Sequence, residues 1–254
     1  MKALVLNLER RQDRKELFDE TNGDKLSYQY SEYTWDGNDL KYEKLRELGF
    51  NTDKSWIDPI EETHLTKGEV GCFLSHWYAW RYCIEYNEPL LILEDDAIIT
   101  DRFDEDQIHT KLNEGYNFVY LGWREMGEST APTPPLNTVI DLSSNPMMAM
   151  AMMGAVQSQN TDVASKVLDS VQNTITTSDE FVTPDYPYWT VGYVITPQSA
   201  QVLLNDTAKK NIIPVDEYLA KKIKELNPIA YKENVVEQRD RGEVGTDVTT
   251  GSRY

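Results

Sequence analysis

Three consecutive carboxylates follow a short apolar run in the first half of the chain. The run Leu90–Leu93 leads directly into Glu94, Asp95 and Asp96. An unbroken apolar run of this length is typical of a strand buried on both faces, and ligands of open α/β sheets bind outside the carboxyl ends of the strands. Three adjacent negative charges are costly unless a cation neutralises them. The pattern therefore predicts a divalent metal that carries a phosphate-bearing ligand. The alternative interpretation is a solvated acidic loop.

The spacing of the three acids indicates which of them would hold the metal. If strand geometry persists, Glu94 and Asp96 point to one side and Asp95 to the other. Mn²⁺ and Mg²⁺ take oxygen ligands and bridge phosphates while using few protein carboxylates. We therefore predict Glu94 and Asp96 as ligands of Mn²⁺ or Mg²⁺.

Composition limits the class of protein. The chain has 254 residues, of which 40% are hydrophobic and 27% charged, as expected for a folded protein with a substantial core. Its net charge of −18 disfavours adhesion to anionic membranes or to nucleic acid, unless a local basic groove exists. No apolar run is long enough to span a bilayer, and no signal peptide opens the chain. We expect a cytoplasmic protein, located in the host cytoplasm if the protein is viral.

The two cysteines are predicted to be reduced thiols. Cys72 and Cys83 fall on one predicted helix, where eleven residues separate them by about 16 Å along the axis. A disulfide needs Cα atoms within about 7 Å of each other.

Predicted strands and helices alternate along the chain, which favours an α/β fold with a mainly parallel sheet. The predicted strands are Ala3–Leu8, Leu90–Leu93, Phe118–Leu121 (ended by Gly122) and Val191–Ile195. The predicted helices cover residues 9–19, 40–48, 66–86, 198–204 and 217–226.

The helix over 66–86 carries a complete N-terminal signal. Thr66 is the predicted N-cap and Glu69 completes a capping box, so Glu69 has a sufficient structural role. Ser75 and His76 flank the apolar stripe of this helix, where a histidine is more often packed than catalytic. Arg10, Arg11 and Arg14 could pair with a phosphate or could equally form a solvated helix face.

At these residues the chain resembles glycosyltransferase family 25, which includes lipooligosaccharide and collagen galactosyltransferases. The motifs that carry the resemblance lie in a fixed order: Asn7 with Arg10 and Arg14, Leu65–His76, Leu91–Ala97, Tyr120–Gly122, Gly192–Thr196, and Pro214–Asp216. The resemblance covers nearly the whole chain and is weakest over the segment 126–187. The Gly68–His76 block is the most specific of these motifs.

The resemblance implies a GT-A-like (Rossmann-like) fold and a glycosyltransferase that moves a hexose or pentose from a nucleotide-sugar to a hydroxyl with inversion. We expect a UDP-sugar donor and a divalent metal at the acidic triplet. The residues predicted to bind the nucleotide-sugar are Asn7, Arg10, Arg14, Glu69, Ser75, His76 and Asp95.

An inverting transfer needs a base that takes the proton of the acceptor. Asp216 follows an apolar segment and precedes a predicted helix, in a Pro-Val-Asp context that resembles the family. We predict Asp216 as the base, with Glu217 and Asp185 as rivals. An N-cap would also explain an aspartate at this position.

The sequence leaves the domain organisation and the acceptor open. We expect a single domain over 1–254, with the proline-rich segment 126–187 as an acceptor-side insert or lid. The acceptor could be a glycan, a protein hydroxyl or a hydroxymethylated base of viral DNA. The alternative function is a catalytically silent binding protein on the same scaffold. Phosphate-handling enzymes of the haloacid dehalogenase or receiver type are disfavoured because Asn7, not an aspartate, follows the first strand.

Overall fold

The computed structural model describes residues 1–52, 56–125, 180–207, 211–240, 242 and 245–247. The chain divides into two compact units. The first comprises Met1–Met126 and Thr183–Tyr254, and the second comprises Gly127–Val182. The predicted insert or lid over 126–187 lies largely outside the described residues, so its role and the single domain over 1–254 both stay predictions.

The first unit is an α/β structure. Its strands are β1 (Lys2–Leu6), β2 (Gln29–Tyr30), β3 (Leu90–Glu94), β4 (Ala97–Ile99), β5 (Phe118–Glu125), β7 (Pro187–Ile195), β8 (Pro228–Tyr231) and β9 (Val236–Gln238), and β6 (Phe181–Val182) belongs to the second unit. The helices are α1 (Gln12–Asn22), α2 (Tyr42–Glu47), α3 (Lys67–Tyr86), α4 (Glu105–Asn113), α5 (Pro197–Thr207) and α6 (Val215–Lys222), with 3₁₀ turns at Gly37–Asp39 and Ile223–Glu225.

The central sheet of the first unit confirms the predicted α/β class. Its strand order is β2-β1-β3-β7-β5-β8. Parallel pairings join β1 to β2, β1 to β3 and β5 to β8, whereas β7 runs antiparallel to both β3 and β5. Leu90, Leu91, Ile92 and Leu93 have no exposed surface, as predicted for a strand covered on both faces. The carboxyl end of β3, at Glu94, therefore lies at one edge of the core.

Helix α3 forms where its N-terminal signal places it. The Thr66 side chain accepts a hydrogen bond from the Glu69 N–H at 3.1 Å, and a Glu69 carboxylate oxygen accepts one from the Thr66 N–H at 2.5 Å. This is the predicted capping box, which satisfies two donors that the helix leaves unpaired. The helix ends at Asn87, which adopts the left-handed conformation with φ 58°. Cys72 and Cys83 both lie on α3 as free thiols.

Some predicted boundaries were wrong. Helix α1 begins at Gln12 rather than Glu9, and β5 continues past Gly122 to Glu125. A Cβ atom at Gly122 would lie 2.3 Å from the Val236 carbonyl oxygen, so this glycine permits a close backbone approach rather than a turn. The β5–β7 register shifts on both sides of Gly122. None of the helices in the described ranges is long and apolar enough to cross a membrane.

Candidate active site

The acidic triplet lies where two clefts meet. Strand β3 ends at Glu94, and Asp95 and Asp96 form the turn before β4. Glu94 lines both clefts, whereas Asp95 lines the smaller one and Asp96 the larger one. Adjacent side chains leave the strand on opposite sides. Glu94 and Asp96 share the larger cleft, as the alternation predicted, but Glu94 also shares the smaller cleft with Asp95.

The smaller cleft has an empty volume of about 650 Å³ and lies between β1, α3 and the loop 34–38. Arg10 and Arg14 line it. The loop is held against α3 by Ser75, whose hydroxyl accepts from the Trp35 N–H at 2.9 Å and donates to the Gly71 carbonyl at 2.8 Å. The predicted ligand residue Ser75 therefore also holds one wall of the cleft.

Each arginine of this region already has acidic partners. Arg10 contacts Asp36 and donates to Asp247 at 2.7 Å, and Arg11 also contacts Asp247. Arg14 donates to Asp95 at 2.7 Å and to the Gly245 carbonyl at 2.6 Å. These carboxylates hold the guanidinium groups beside the cleft. Asp247 lies against Arg10 and Arg11, at a position where these arginines could otherwise bind an anion.

Asn7 and Asp95 act together beneath the arginines. The Asn7 amide donates to an Asp95 carboxylate oxygen at 2.8 Å, and the other Asp95 oxygen accepts from Arg14. All three side chains are largely buried. Burial raises the pKa of Asp95, although Arg14 and Asn7 act in the opposite direction. The structure thus brings together Asn7, Arg14 and Asp95, with Asp95 orienting Arg14.

The larger cleft has an empty volume of about 1220 Å³, including its open mouth. Among its lining residues are the acids Glu69, Glu94, Asp96 and Asp216 and the aromatic residues Tyr188 and Trp189. Trp189 has φ 82°, a conformation rare for a bulky residue and often found at functional sites. The Arg124 guanidinium lies 4.2 Å from the centre of its ring.

Burial and mutual repulsion shift the pKa values of the acids in the triplet. Burial and the charges of Glu94 and Asp95 raise the pKa of Asp96 to about 7. Its Oδ2 accepts from Gln238 at 3.1 Å, whereas Oδ1 is buried and has no hydrogen-bond partner among the described residues. Burial raises the pKa of Glu94, but the combined effects of His76, Thr190 and Arg14 outweigh burial and leave this pKa below its ordinary value.

Cys72 and His76 form, together with Glu94 of the triplet, a second group of residues that could hold a metal ion. Ligand atoms of Cys72, His76 and Glu94 lie within 4.8 Å of one another. His76 is buried, and its Nε2 lies 3.4 Å from Glu94 Oε1. Thiolate and imidazole ligands favour softer metals than Mg²⁺. Burial and the nearby carboxylates raise the pKa of the Cys72 thiol well above its ordinary value.

The candidate bases differ in their surroundings. Asp216 lies in the first turn of α6 and lines the larger cleft, and burial followed by the charge of Glu94 raises its pKa to about 6. The N-cap of α6 is Pro214, so the alternative that Asp216 is the cap is wrong. Glu217 is fully buried and accepts from the Tyr186 hydroxyl at 2.8 Å. The Asp185 side chain is 82% exposed and pairs with Lys224.

The model of "Glycosyltransferase family 25 (LPS biosynthesis protein)" matches residues 1–219. The chain belongs to glycosyltransferase family 25. The match includes every predicted site residue. It also confirms the resemblance first seen in the motifs.

Curated relatives of this family 25 chain are long proteins. A "Glycosyltransferase 25 family member" of Drosophila melanogaster is 28% identical over 228 residues, which is 86% of this chain and 30% of the relative. Human "Procollagen galactosyltransferase 2" is 27% identical over 237 residues, which is 93% of this chain and 32% of the relative. The chain thus spans about a third of the length of the relatives it matches.

The sequence did not predict several residues that lie near the triplet in this family 25 chain. Thr190 donates to Glu94, Gln238 contacts Asp96, and Trp35 and Asp247 line the smaller cleft. The Trp35-Asp36-Gly37 turn signal could have drawn attention to Trp35. No sequence pattern links Gln238 or Asp247 to the triplet, because tertiary folding brings them there from more than 140 residues away.

Proposed function

We propose that this chain transfers a sugar from a nucleotide-sugar donor to an acceptor hydroxyl, with a divalent metal at the acidic triplet. The observation that carries the proposal is the junction of the two clefts at Glu94. The smaller cleft has arginines that suit a diphosphate, and the larger cleft has a partly buried carboxylate, Asp216, that suits a base. Family membership supports the same class of reaction.

The donor side of the proposal rests on Arg10 and Arg14. A guanidinium group pairs with phosphate oxygens in the same geometry as with a carboxylate. A bound diphosphate would therefore take the place of Asp247 on Arg10, whereas Asp95 and Asn7 would keep Arg14 in position. We assign the nucleotide-sugar to the smaller cleft, between the loop 34–38 and the first turns of α3.

The donor set of the triplet fits a hard divalent cation. Asp96 offers a buried carboxylate oxygen that lacks a hydrogen-bond partner among the described residues, and Glu94 shares its cleft. Carboxylate oxygens are the ligands that Mn²⁺ and Mg²⁺ prefer. Glu94 and Asp96 would hold the ion, which when bound neutralises charge on the leaving diphosphate.

The acceptor side rests on Asp216. Its raised pKa brings it nearer to neutrality, where a base takes a hydroxyl proton most effectively, and it remains mostly ionised at pH 7. In this proposal the base lies in the larger cleft, the donor lies in the smaller cleft, and Glu94 lies between them. This arrangement supports attack on the face of the sugar opposite the leaving group, and hence inversion. Tyr188 and Trp189 would contact the acceptor.

Activity assays with different donors and acceptors would identify the sugar and the acceptor. Four relatives are named procollagen galactosyltransferases, so UDP-galactose and a collagen-like peptide are the first pair to assay. A glycan and a hydroxymethylated duplex DNA are the other acceptors. The cytoplasmic location stays a prediction.

The test is release of UDP from a panel of UDP-sugars, with Mn²⁺ or with excess chelator, in the presence of each acceptor class. We expect release that requires the metal and is stimulated by one acceptor, with a glycosylated product of the expected mass. Tight UDP-sugar binding without hydrolysis or transfer to any acceptor would instead indicate a silent binding protein.

Gly71→Ala is predicted to weaken donor binding. A Cβ atom at Gly71 would lie 2.5 Å from the Trp35 carbonyl oxygen and 2.9 Å from the Gly37 nitrogen, so the wall of the smaller cleft must move. We expect the Kd for UDP-sugar to rise about tenfold, equivalent to about 1.4 kcal/mol of binding free energy. Titration calorimetry measures this value. Glu85→Ala, an exposed substitution on the same helix, should leave it unchanged.

A further inference from the structure

Two hydrogen bonds join three buried side chains, the last of which lies beside the acidic triplet. The Trp80 indole Nε1–H donates to the Tyr193 hydroxyl at 2.9 Å, and that hydroxyl lies 2.8 Å from Nδ1 of His76. The other ring nitrogen of His76, Nε2, lies 3.4 Å from Oε1 of Glu94. Trp80, Tyr193 and His76 have at most 1% of their surface exposed, so bulk solvent does not reach them.

The direction of each hydrogen bond follows from what each group can do. An indole N–H only donates, so the Tyr193 oxygen accepts from Trp80. The Tyr193 hydroxyl then has its own proton to donate. Within the described part of the chain, the acceptor at hydrogen-bond distance is Nδ1 of His76. A buried donor left without an acceptor costs free energy. The favoured arrangement therefore has Nδ1 accepting and the proton of the neutral ring on Nε2.

We propose that Tyr193 is a positioning residue that holds His76 as the Nε2–H tautomer, so that His76 donates to Glu94 instead of coordinating a cation. Thr190 donates to the same oxygen, Oε1. Two donors on one oxygen fix the orientation of the carboxylate and leave Oε2 for a bound cation. The role of this orientation in catalysis rests on the proposed function, whereas the tautomer itself does not.

The same geometry decides between two roles for His76. A metal held by Cys72, His76 and Glu94 would need the lone pair of Nε2. The proton would then sit on Nδ1 and would be donated to Tyr193, as metal-bound histidines usually do with their second nitrogen. The Tyr193 hydroxyl would accept two hydrogen bonds and its own proton would lack an acceptor. The protonated nitrogen of His76 is therefore the observable that separates a positioning residue from a ligand.

The test is ¹⁵N–¹H correlation NMR of the imidazole rings, which distinguishes the two neutral tautomers. The chain has three histidines, so His64→Gln and His109→Gln assign the signals. Spectra are recorded without metal, at a pH well above the ordinary histidine pKa of about 6.5. We expect His76 protonated on Nε2 in the wild type. A proton on Nδ1, or on both nitrogens, would overturn the proposal.

Tyr193→Phe removes only the hydroxyl and should abolish the preference for Nε2–H. The matched control is Tyr218→Phe, because the Tyr218 hydroxyl is also buried and donates to the Leu203 carbonyl at 2.6 Å without contacting His76. An unchanged tautomer in Tyr193→Phe would contradict the assignment. If that variant does not fold, Trp80→Phe replaces it. This change removes the N–H that donates to the Tyr193 hydroxyl, so it should also weaken the preference of His76 for the Nε2–H tautomer.

A Mn²⁺ titration of activity tests the positioning role. Loss of a partner that orients a metal ligand typically weakens metal affinity by about 10- to 100-fold. We expect Tyr193→Phe to need at least about tenfold more Mn²⁺ for half-maximal transfer, and Tyr218→Phe to need the wild-type amount. An unchanged Mn²⁺ requirement in Tyr193→Phe would overturn the positioning role. Metal-independent transfer by the wild type would instead contradict the proposed function and leave the tautomer assignment standing.

Discussion

Asp96→Asn is expected to lower the rate of sugar transfer by about 100-fold or more, since loss of a preorganised charge at a reacting centre has an effect of this size. Asparagine keeps the shape of the side chain and an oxygen that can accept from Gln238. The loss is therefore chemical rather than structural. Transfer by the purified variant at saturating donor and Mn²⁺ measures it.

The stability of the Asp96→Asn variant should rise, although its transfer activity falls. A carboxyl whose pKa is higher in the folded chain than in the unfolded chain binds its proton more tightly when folded, so its ionised form opposes folding above that pKa. The pKa of Asp96 is raised in this way. In chelator, above neutral pH, Asp96→Asn should melt at a higher temperature than the wild type. Added Mn²⁺ should stabilise only the wild type.

Asp101→Asn is the matched control for Asp96, because it makes the same chemical change five residues later on a fully exposed side chain. Its transfer rate and melting temperature should equal those of the wild type. Normal turnover of Asp96→Asn, or of the wild type in excess chelator, would remove Glu94 and Asp96 from the metal site.

Asp216→Asn is expected to lower transfer by about 100- to 10,000-fold, the usual contribution of a general base. Donor binding should be retained, because Asp216 does not line the smaller cleft. Asparagine can still accept the Glu217 N–H, which Asp216 Oδ1 accepts at 3.1 Å. Transfer and UDP-sugar binding are therefore measured on the same preparation.

The pH dependence of the wild type gives a second test of the base. A base acts only when deprotonated, so a pKa of about 6 predicts that the transfer rate falls about tenfold per pH unit below that value. An unperturbed aspartate would shift the fall to about pH 4. Asp185→Asn changes an exposed carboxylate and should leave both rate and profile intact. Loss of transfer in Asp185→Asn, with full activity in Asp216→Asn, would reverse the assignment.

Local sequence signals predicted the local parts of this structure well. The capping box at Thr66 and Glu69 predicted the start of α3 because both of its hydrogen bonds join residues three apart. The apolar run Leu90–Leu93 predicted β3 for an equally local reason. Strand ends were harder to predict: β5 runs through Gly122 because the Val236 backbone packs against it, and that contact comes from a distant part of the chain.

The sequence by itself determined the family, the α/β class and the acidic triplet, since motif order and hydrophobic pattern are written in consecutive residues. Only the tertiary structure decided which side chains surround the triplet. Tyr193 meets His76 because β7 runs antiparallel beside β3 while α3 packs near both, and Asp216 reaches the larger cleft because α6 begins at Pro214–Val215. Hydrogen bonds and desolvation act over a few ångströms in space, so residues from distant parts of the chain, such as Thr190 beside Glu94 and Gln238 beside Asp96, set the charge and orientation of these acids.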